Sequence, residues 1–174
     1  MDKRGLHPSR TKILNAILAA WLVYLALDFL THAVFLAAWW RATESYWLPP
    51  GILFTRIPFA YLSFGIYAAV LTSLMIKLIG PRLTILQGLW FGFLTGSIFG
   101  GISILSMYSV FPMPIGAFAV WPVSAAVDSA AAGAAAVYLL GASASWRRLI
   151  HIFVFTLVLL VVGVILQNQL FPMT

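Results

Sequence analysis

Five long apolar runs fill almost the whole chain of 174 residues, and short segments with proline, glycine or charged residues separate them. A transmembrane helix needs about 20 consecutive apolar residues to cross the hydrocarbon core of a bilayer. We therefore predict an all-α integral membrane protein, with a single transmembrane domain over residues 1–174 built as a bundle of five helices. The predicted helices cover about residues 13–40, 57–79, 83–108, 115–141 and 149–168.

The composition indicates lipid as the solvent, because 63% of the residues are hydrophobic and only 8% are charged. Soluble domains carry about 25% charged residues. The net charge of +6 does not indicate a nucleic-acid partner, since the ten Lys and Arg lie in short clusters beside the apolar runs. The absence of cysteine excludes disulfides, thiolate metal sites and cysteine nucleophiles.

Prolines suggest where two of the helices begin, because proline is favoured in the first turn of a helix and breaks its interior. The second helix begins at Ile52 or, as this argument favours, near Pro58. The fourth helix begins at either Ile115 or Pro122. The first run, Ile13 to Trp40, is far longer than the apolar core of a signal peptide, which has about 7–15 residues, so we interpret it as a retained helix.

The basic residues predict the orientation in the membrane. Arg41 and Arg56 fall on one side of a five-helix topology, and eight other basic residues fall on the opposite side. Cytoplasmic loops carry the excess of Lys and Arg, so we predict an N-terminus inside and a C-terminus outside the cell inner (plasma) membrane. The eight residues are Lys3, Arg4, Arg10, Lys12, Lys77, Arg82, Arg147 and Arg148.

Four polar residues in or near the apolar runs form the candidate site: Asp28, His32, Asp128 and Arg56. Asp28 and His32 are four residues apart, so they share one face of the first helix. Charged groups inside a bilayer are costly and usually face the bundle interior. We therefore expect Asp28, His32 and Asp128 to converge there, with Arg56 at the outer start of the second helix.

Three interpretations of this cluster stay open. It is a polar clamp that holds the first, second and fourth helices in register, or a site for protons, an ion or a small ligand. In the third, Asp128 is simply neutral because of desolvation. A metal site is less expected, because one pair at spacing four is the only recognisable ligand pattern. The sequence does not identify a cofactor.

Glycines at every fourth position, Gly88, Gly92, Gly96 and Gly100, form a stripe on one face of the third helix. Small residues at this spacing let a second helix backbone approach closely. The fourth helix offers a matching face, with Gly133 four residues after Ser129. We predict that these two helices pack as a glycine zipper, and that the contact lies within one chain because a short connection joins them.

Several motifs resemble those of a group of small uncharacterised bacterial multi-pass membrane proteins. The resemblance implies a unit of four helices with an acid in the last one, to which the fifth helix would be an addition, and it implies no activity. The motifs are Asp28-x-x-x-His32, Trp40-x-x-Thr43-x-x-x-Trp47, Gly88-x-x-Phe91-Gly92-x-x-x-Gly96, Pro112-x-Pro114, Trp121, and Asp128 with Gly133.

A weaker resemblance is to the tryptophan-rich sensory (translocator) proteins, which have five helices and a Trp-x-Pro-Pro stretch after the first. Here that stretch is Trp47-Leu48-Pro49-Pro50, followed by Phe54. The resemblance implies tetrapyrrole or sterol binding. The chain departs from the family in lacking its scattered tryptophans and asparagines in the last three helices and in carrying Asp28 and His32.

Two functions follow as expectations. No nucleophile motif, phosphate loop or nucleotide fingerprint is present, which makes an enzyme less expected without excluding one. The sequence favours a non-enzymatic accessory or scaffold subunit that docks, by the fifth helix or the glycine stripe, into a larger membrane complex or a homo-oligomer. The alternative is a small carrier or sensor that uses Asp28, His32 and Asp128 for protons, an ion or a small ligand.

Overall fold

The computed structural model describes residues 8–80, 83–141 and 145–170. Of the described residues, 88% are helical and none lies in a strand. Five of its helices are long and apolar enough to cross a membrane. The α-helices are α1 (Arg10–Leu30), α2 (Ala37–Ala42), α3 (Pro50–Leu78), α4 (Ile85–Tyr108), α5 (Val120–Leu140) and α6 (Ser145–Leu170).

The first predicted helix is a composite of three elements. α1 begins after Ser9, whose side chain accepts a hydrogen bond from the backbone N–H of Lys12 at 3.4 Å. A π-helical turn, Thr31–Phe35, then separates α1 from α2. Such turns are rare and frequently lie at functional sites, and this one contains His32. The sequence pattern predicted a single run of about 13–40 and gave no signal for the turn.

The second predicted helix begins earlier than the proline argument suggested. α3 starts at Pro50 and contains Pro58 in its interior, so the predicted start near 57 differs from the structure. Pro50 takes the position in the first turn where a missing N–H costs nothing. A second proline inside the helix is tolerated in membrane helices, where local adjustments and neighbouring groups satisfy the freed carbonyl.

The fourth predicted helix begins between its two candidate starts. A 3₁₀ turn, Ile115–Phe118, precedes α5, so Pro122 falls in the first turn of α5.

The third predicted helix, α4, begins with a capping box. The Thr84 hydroxyl accepts from the Gln87 N–H at 3.3 Å, and the Gln87 side chain accepts from the Thr84 N–H at 2.9 Å. The fifth, α6, is longer at both ends than the predicted 149–168.

α5 lies at the centre of the bundle and α6 at its edge. Over an apolar stretch of 18 residues in the span that contains α5, 61% of the residues are buried within the protein, against 11% in the corresponding stretch of α6. α5 packs mainly on α4 and α1, and α1 also packs on α6 and α3. By contrast, α3 and α4 meet over only a short stretch. The bundle is therefore tight around α5 and loose between α3 and α4.

The glycine stripe of α4 lies against α5 of the same chain. A Cβ atom at Gly88 would lie 2.6 Å from the carbonyl oxygen of Gly133, and one at Gly100 would lie 2.7 Å from Cα of Pro122. At Gly92 and Gly96 a Cβ atom would overlap the carbonyl groups of α5. All four glycines are buried. Only glycine allows this distance between the two backbones.

The predicted orientation depends on loop charges that the bundle geometry does not test. Lys77 lies in the last turn of α3, and Arg147 and Arg148 lie in the first turn of α6. Lys3, Arg4 and Arg82 lie outside the described residues. The N-terminus-inside topology therefore stays a prediction.

Candidate functional site

A cavity of about 1000 Å³ lies between α1, α3, α4 and α5. Asp28 and His32 are part of its wall, and the rest is mainly aromatic and aliphatic. Its residues include Tyr24 from α1, Phe64 from α3, Phe99 and Ser103 from α4, and Trp121 and Ser124 from α5.

α3 and α4 have few contacts with each other beside the cavity. They meet where the Tyr67 hydroxyl donates to Thr95 Oγ1 at 3.3 Å and where the Tyr67 ring lies 5.4 Å from that of Phe99. A second cavity of about 420 Å³, lined only by α3 and α4, adjoins the first. The two share Ser63, Phe99 and Ile102 as lining residues. The gap between α3 and α4 is therefore continuous with the larger cavity.

Asp28 and His32 form a pair on the cavity wall. Nε2 of His32 lies 3.4 Å from Oδ1 of Asp28, and the two side chains are 23% and 22% exposed. Their spacing of four residues places them on the same face across the end of α1 and the π-helical turn. The pair joins two residues of one continuous segment, so it does not by itself connect different helices.

The indole of Trp40 sets the protonation state of His32. Its Nε1–H donates to Nδ1 of His32 at 3.0 Å. An indole N–H is a donor only, so Nδ1 accepts and carries no hydrogen, and a neutral ring then carries its hydrogen on Nε2. The hydrogen-bond network therefore assigns a neutral His32 whose Nε2–H faces Asp28.

Asp128 lies behind the cavity wall and is fully buried. Among the described residues, neither of its carboxyl oxygens has a hydrogen-bond partner. It is close enough to Asp28 and to Tyr24 for electrostatic interaction. Buried polar groups usually have hydrogen-bond partners. A buried acid without one is therefore unusual, and it distinguishes this part of α5.

The structure thus separates the four candidate residues into different environments. Asp28 and His32 are paired on the cavity wall, and Asp128 is buried close to them. Arg56 is exposed, lies outside the cavity lining and has no ion pair with these acids in the described part of the chain. Over residues 8–80, 83–141 and 145–170, no three histidine or acidic side chains lie together as a metal site would require.

An aromatic cluster contributes Trp40 and Trp121 to the cavity wall. The rings of Trp47 and Trp121 stack with 5.8 Å between centroids, and Trp40 lies 4.8 Å from Trp47. The Trp47 N–H donates to the Thr43 hydroxyl at 2.9 Å, and that hydroxyl donates to the Trp39 carbonyl at 2.9 Å. Spacings of four from Trp39 to Thr43 and from Thr43 to Trp47 were the available signal for this network.

Sequence reasoning did not identify the apolar side of the site. Phe64, Phe99 and Ser103 line the cavity, but their residue types are ordinary for membrane helices. Only the packing of the helices brings them to a common surface. No periodicity or composition signal could have indicated that packing.

No family model, no curated protein and no solved structure matches this chain.

Proposed function

We propose that the protein binds a membrane-soluble small molecule in the cavity between α1, α3, α4 and α5, and acts as a carrier or sensor. The observation that carries this proposal is the cavity of about 1000 Å³ with Asp28 and His32 on its wall. Small-molecule sites are clefts of about 300–1,000 Å³, mostly apolar, with a few placed polar groups. The cavity has this size and this composition.

The gap between α3 and α4 supports access from the bilayer. Its lining is apolar, with Ile66, Val70 and Leu74 on α3 and Ile98 on α4. The apolar lining of the gap would give a lipid-dissolved molecule surroundings as apolar as the lipid that it leaves. A water-soluble ligand would have to cross that apolar surface first.

The Asp28–His32 pair favours binding over a structural clamp. A clamp between helices needs partners on different helices, whereas Asp28 and His32 belong to one segment. Ionisable residues inside membrane helices are expensive and mark functional sites. Binding a ligand gives this pair a role that its geometry does not give it in helix packing.

A second candidate role, as an accessory or scaffold subunit, is favoured by α6. That helix exposes most of its apolar surface, which suits a partner in a larger membrane complex or a homo-oligomer. Extraction in mild detergent tests this role directly. A partner that co-purifies at fixed stoichiometry supports it, and a homogeneous lone species contradicts it. Placement in the inner membrane, with the N-terminus inside, belongs to both proposals.

Binding of three 12-carbon amphiphiles tests the cavity. Dodecylamine, dodecanol and dodecanoate are added to the protein in phosphatidylcholine nanodiscs, and tryptophan fluorescence reports binding because Trp40 and Trp121 line the cavity. We expect at least one to bind saturably. Ser103→Phe, which places a ring in the cavity, should abolish that binding.

The matched control is Leu105→Phe on the same helix. Leu105 is 68% exposed and does not line the cavity, so this variant should bind like the unmodified protein. Fluorescence that changes linearly for all three compounds, as in protein-free partitioning, would contradict the proposal. So would saturable binding that Ser103→Phe leaves unchanged.

A further inference from the structure

We infer that the ligand is an amphiphile with an ammonium or amine head and an apolar tail, the head bound at Asp28. This inference rests on the proposed binding function and names the ligand class. It follows from a comparison of the hydrogen-bonding groups on the cavity wall that already have a partner with those that do not.

Three of the described serine hydroxyls on the wall donate to their own helices, and the exposed Ser106 also lines the cavity. Ser63 donates to the Ala60 carbonyl at 2.7 Å, Ser103 to Phe99 at 2.9 Å and Ser124 to Trp121 at 3.3 Å. A hydroxyl has one hydrogen and two lone pairs. These serines therefore offer a ligand only their acceptor lone pairs.

The N–H groups near the cavity are also occupied or out of reach. The Trp40 N–H is donated to His32, and the neutral His32 directs its own N–H at Asp28. The Trp121 N–H is buried below the surface. The phenols of Tyr24 and Tyr61 remain, and each can accept as well as donate. More acceptor lone pairs than free donor hydrogens therefore remain on the wall.

The charges favour a cation. Asp28 is an acid on the cavity wall, none of the described Lys and Arg residues lines the cavity, and Asp128 lies close behind. An ammonium head favours the ionised form of a nearby carboxyl group, whereas an anionic head disfavours it. The rings of Trp40, Phe64 and Phe99 on the same wall add faces that a cation can approach. An anionic head would meet acids and occupied donors.

The second cavity accounts for the tail. It adjoins the first at Ser63, Phe99 and Ile102, and extends between α3 and α4 along aliphatic side chains. A ligand with its head at Asp28 can therefore place its alkyl chain in this second cavity, between α3 and α4 (the groove), where the chain stays in contact with apolar side chains. A compact hydrophilic cation would leave the groove unused and would lose that burial.

The same three amphiphiles test which head group the site prefers, separately from the question of whether the cavity binds a ligand at all. They share chain length and differ in whether the head is a cation, a neutral hydroxyl or an anion. Zwitterionic phosphatidylcholine keeps the membrane from concentrating either charge. We expect dodecylamine to bind about tenfold or more tightly than dodecanol, because charge-assisted hydrogen bonds are the strong ones. Dodecanoate should bind most weakly.

Variants at Asp28 test where the head binds. Asp28→Asn should weaken dodecylamine binding about tenfold or more while leaving dodecanol within about threefold. Asp28→Glu restores the carboxylate and should retain the preference for the amine. Glu44→Gln is the charge-matched control, since Glu44 is exposed and outside the cavity lining. It should leave all three affinities unchanged.

The outcomes separate the two proposals. If dodecanol or dodecanoate binds as tightly as dodecylamine, or if Asp28→Asn leaves amine binding unchanged, the ligand class is wrong. The binding function still stands in that case, provided that Ser103→Phe abolishes the binding observed. If none of the three compounds binds saturably, the proposed function is itself contradicted.

Discussion

The indole N–H of Trp40 donates to Nδ1 of His32 across 3.0 Å, although the two residues are eight positions apart. The π-helical turn between them and the restart of the helix at Ala37 bring the two rings to within 5.5 Å. The bond leaves the Nε2–H of His32 directed at Asp28. Trp40 therefore determines which ring nitrogen of His32 faces Asp28.

This relationship predicts the tautomer of His32. Nitrogen-15 NMR of histidine-labelled protein should show an unprotonated Nδ1 and a protonated Nε2 for this ring. Trp40→Phe removes the donor, so both tautomers should appear. Trp47→Phe is the control, because the Trp47 N–H donates to Thr43 instead, and it should leave the ring unchanged. A protonated Nδ1 in the unmodified protein would show that the hydrogen bond is absent.

The Asp28–His32 pair should contribute little to stability. Both residues lie on one segment and each is about a fifth exposed, so their loss does not separate any helices. We expect Asp28→Asn and Asp28→Leu each to change the free energy of unfolding by less than about 1 kcal/mol. Thermal unfolding in detergent measures this. A loss of several kcal/mol for Asp28→Leu alone would restore the clamp interpretation.

The glycine stripe should be sensitive where it touches α5 and tolerant elsewhere. A side chain at Gly96 would meet the Ala125 carbonyl and the Ser129 side chain, whereas one at Gly101 would meet nothing within 4 Å. Gly96→Leu should therefore cost about 1–3 kcal/mol or more and lower the yield of folded protein. Gly101→Leu should stay within about 0.5 kcal/mol. Equal stability of both variants would show that α4 does not need this close approach.

Reporter fusions test the predicted topology. A reporter joined after Arg82 should lie in the cytoplasm, and one joined after Thr174 should lie outside, because the eight-to-two distribution of basic residues sets the orientation. Both junctions fall outside the described residues, and the reporters read only the side of the membrane. Two reporters on the same side would contradict five spans.

Much of the fold was accessible from the sequence because membrane helices must satisfy their backbone groups internally. Hydropathy alone therefore gave five helices, and the spacing of Gly88, Gly92, Gly96 and Gly100 identified the narrow face of α4. The proline argument placed the start of the second helix too late. Its premise, that proline ends a helix, is weaker in a membrane than in water, and α3 continues through Pro58.

Only part of the site could be predicted from the sequence, because its polar pair and its cavity arise from different features of the chain. Asp28 and His32 were found by their polarity and their spacing of four residues. Arg56, one candidate of the cluster, is outside the cavity lining. The partner that the structure gives His32 is Trp40. The cavity depends on the sparse packing between α3 and α4, which neither helix's sequence pattern indicates.

Photo-crosslinking tests most directly whether the cavity is a binding site. Dodecylamine with a diazirine in mid-chain is irradiated with the protein in nanodiscs, and the labelled residues are mapped by mass spectrometry. We predict label on the groove between α3 and α4, at Phe99 and Ile102 and at facing residues of α3, and its loss with excess dodecylamine or in Ser103→Phe. Equal, uncompeted label on exposed positions of α6 such as Val158, which is 53% exposed, would contradict the account.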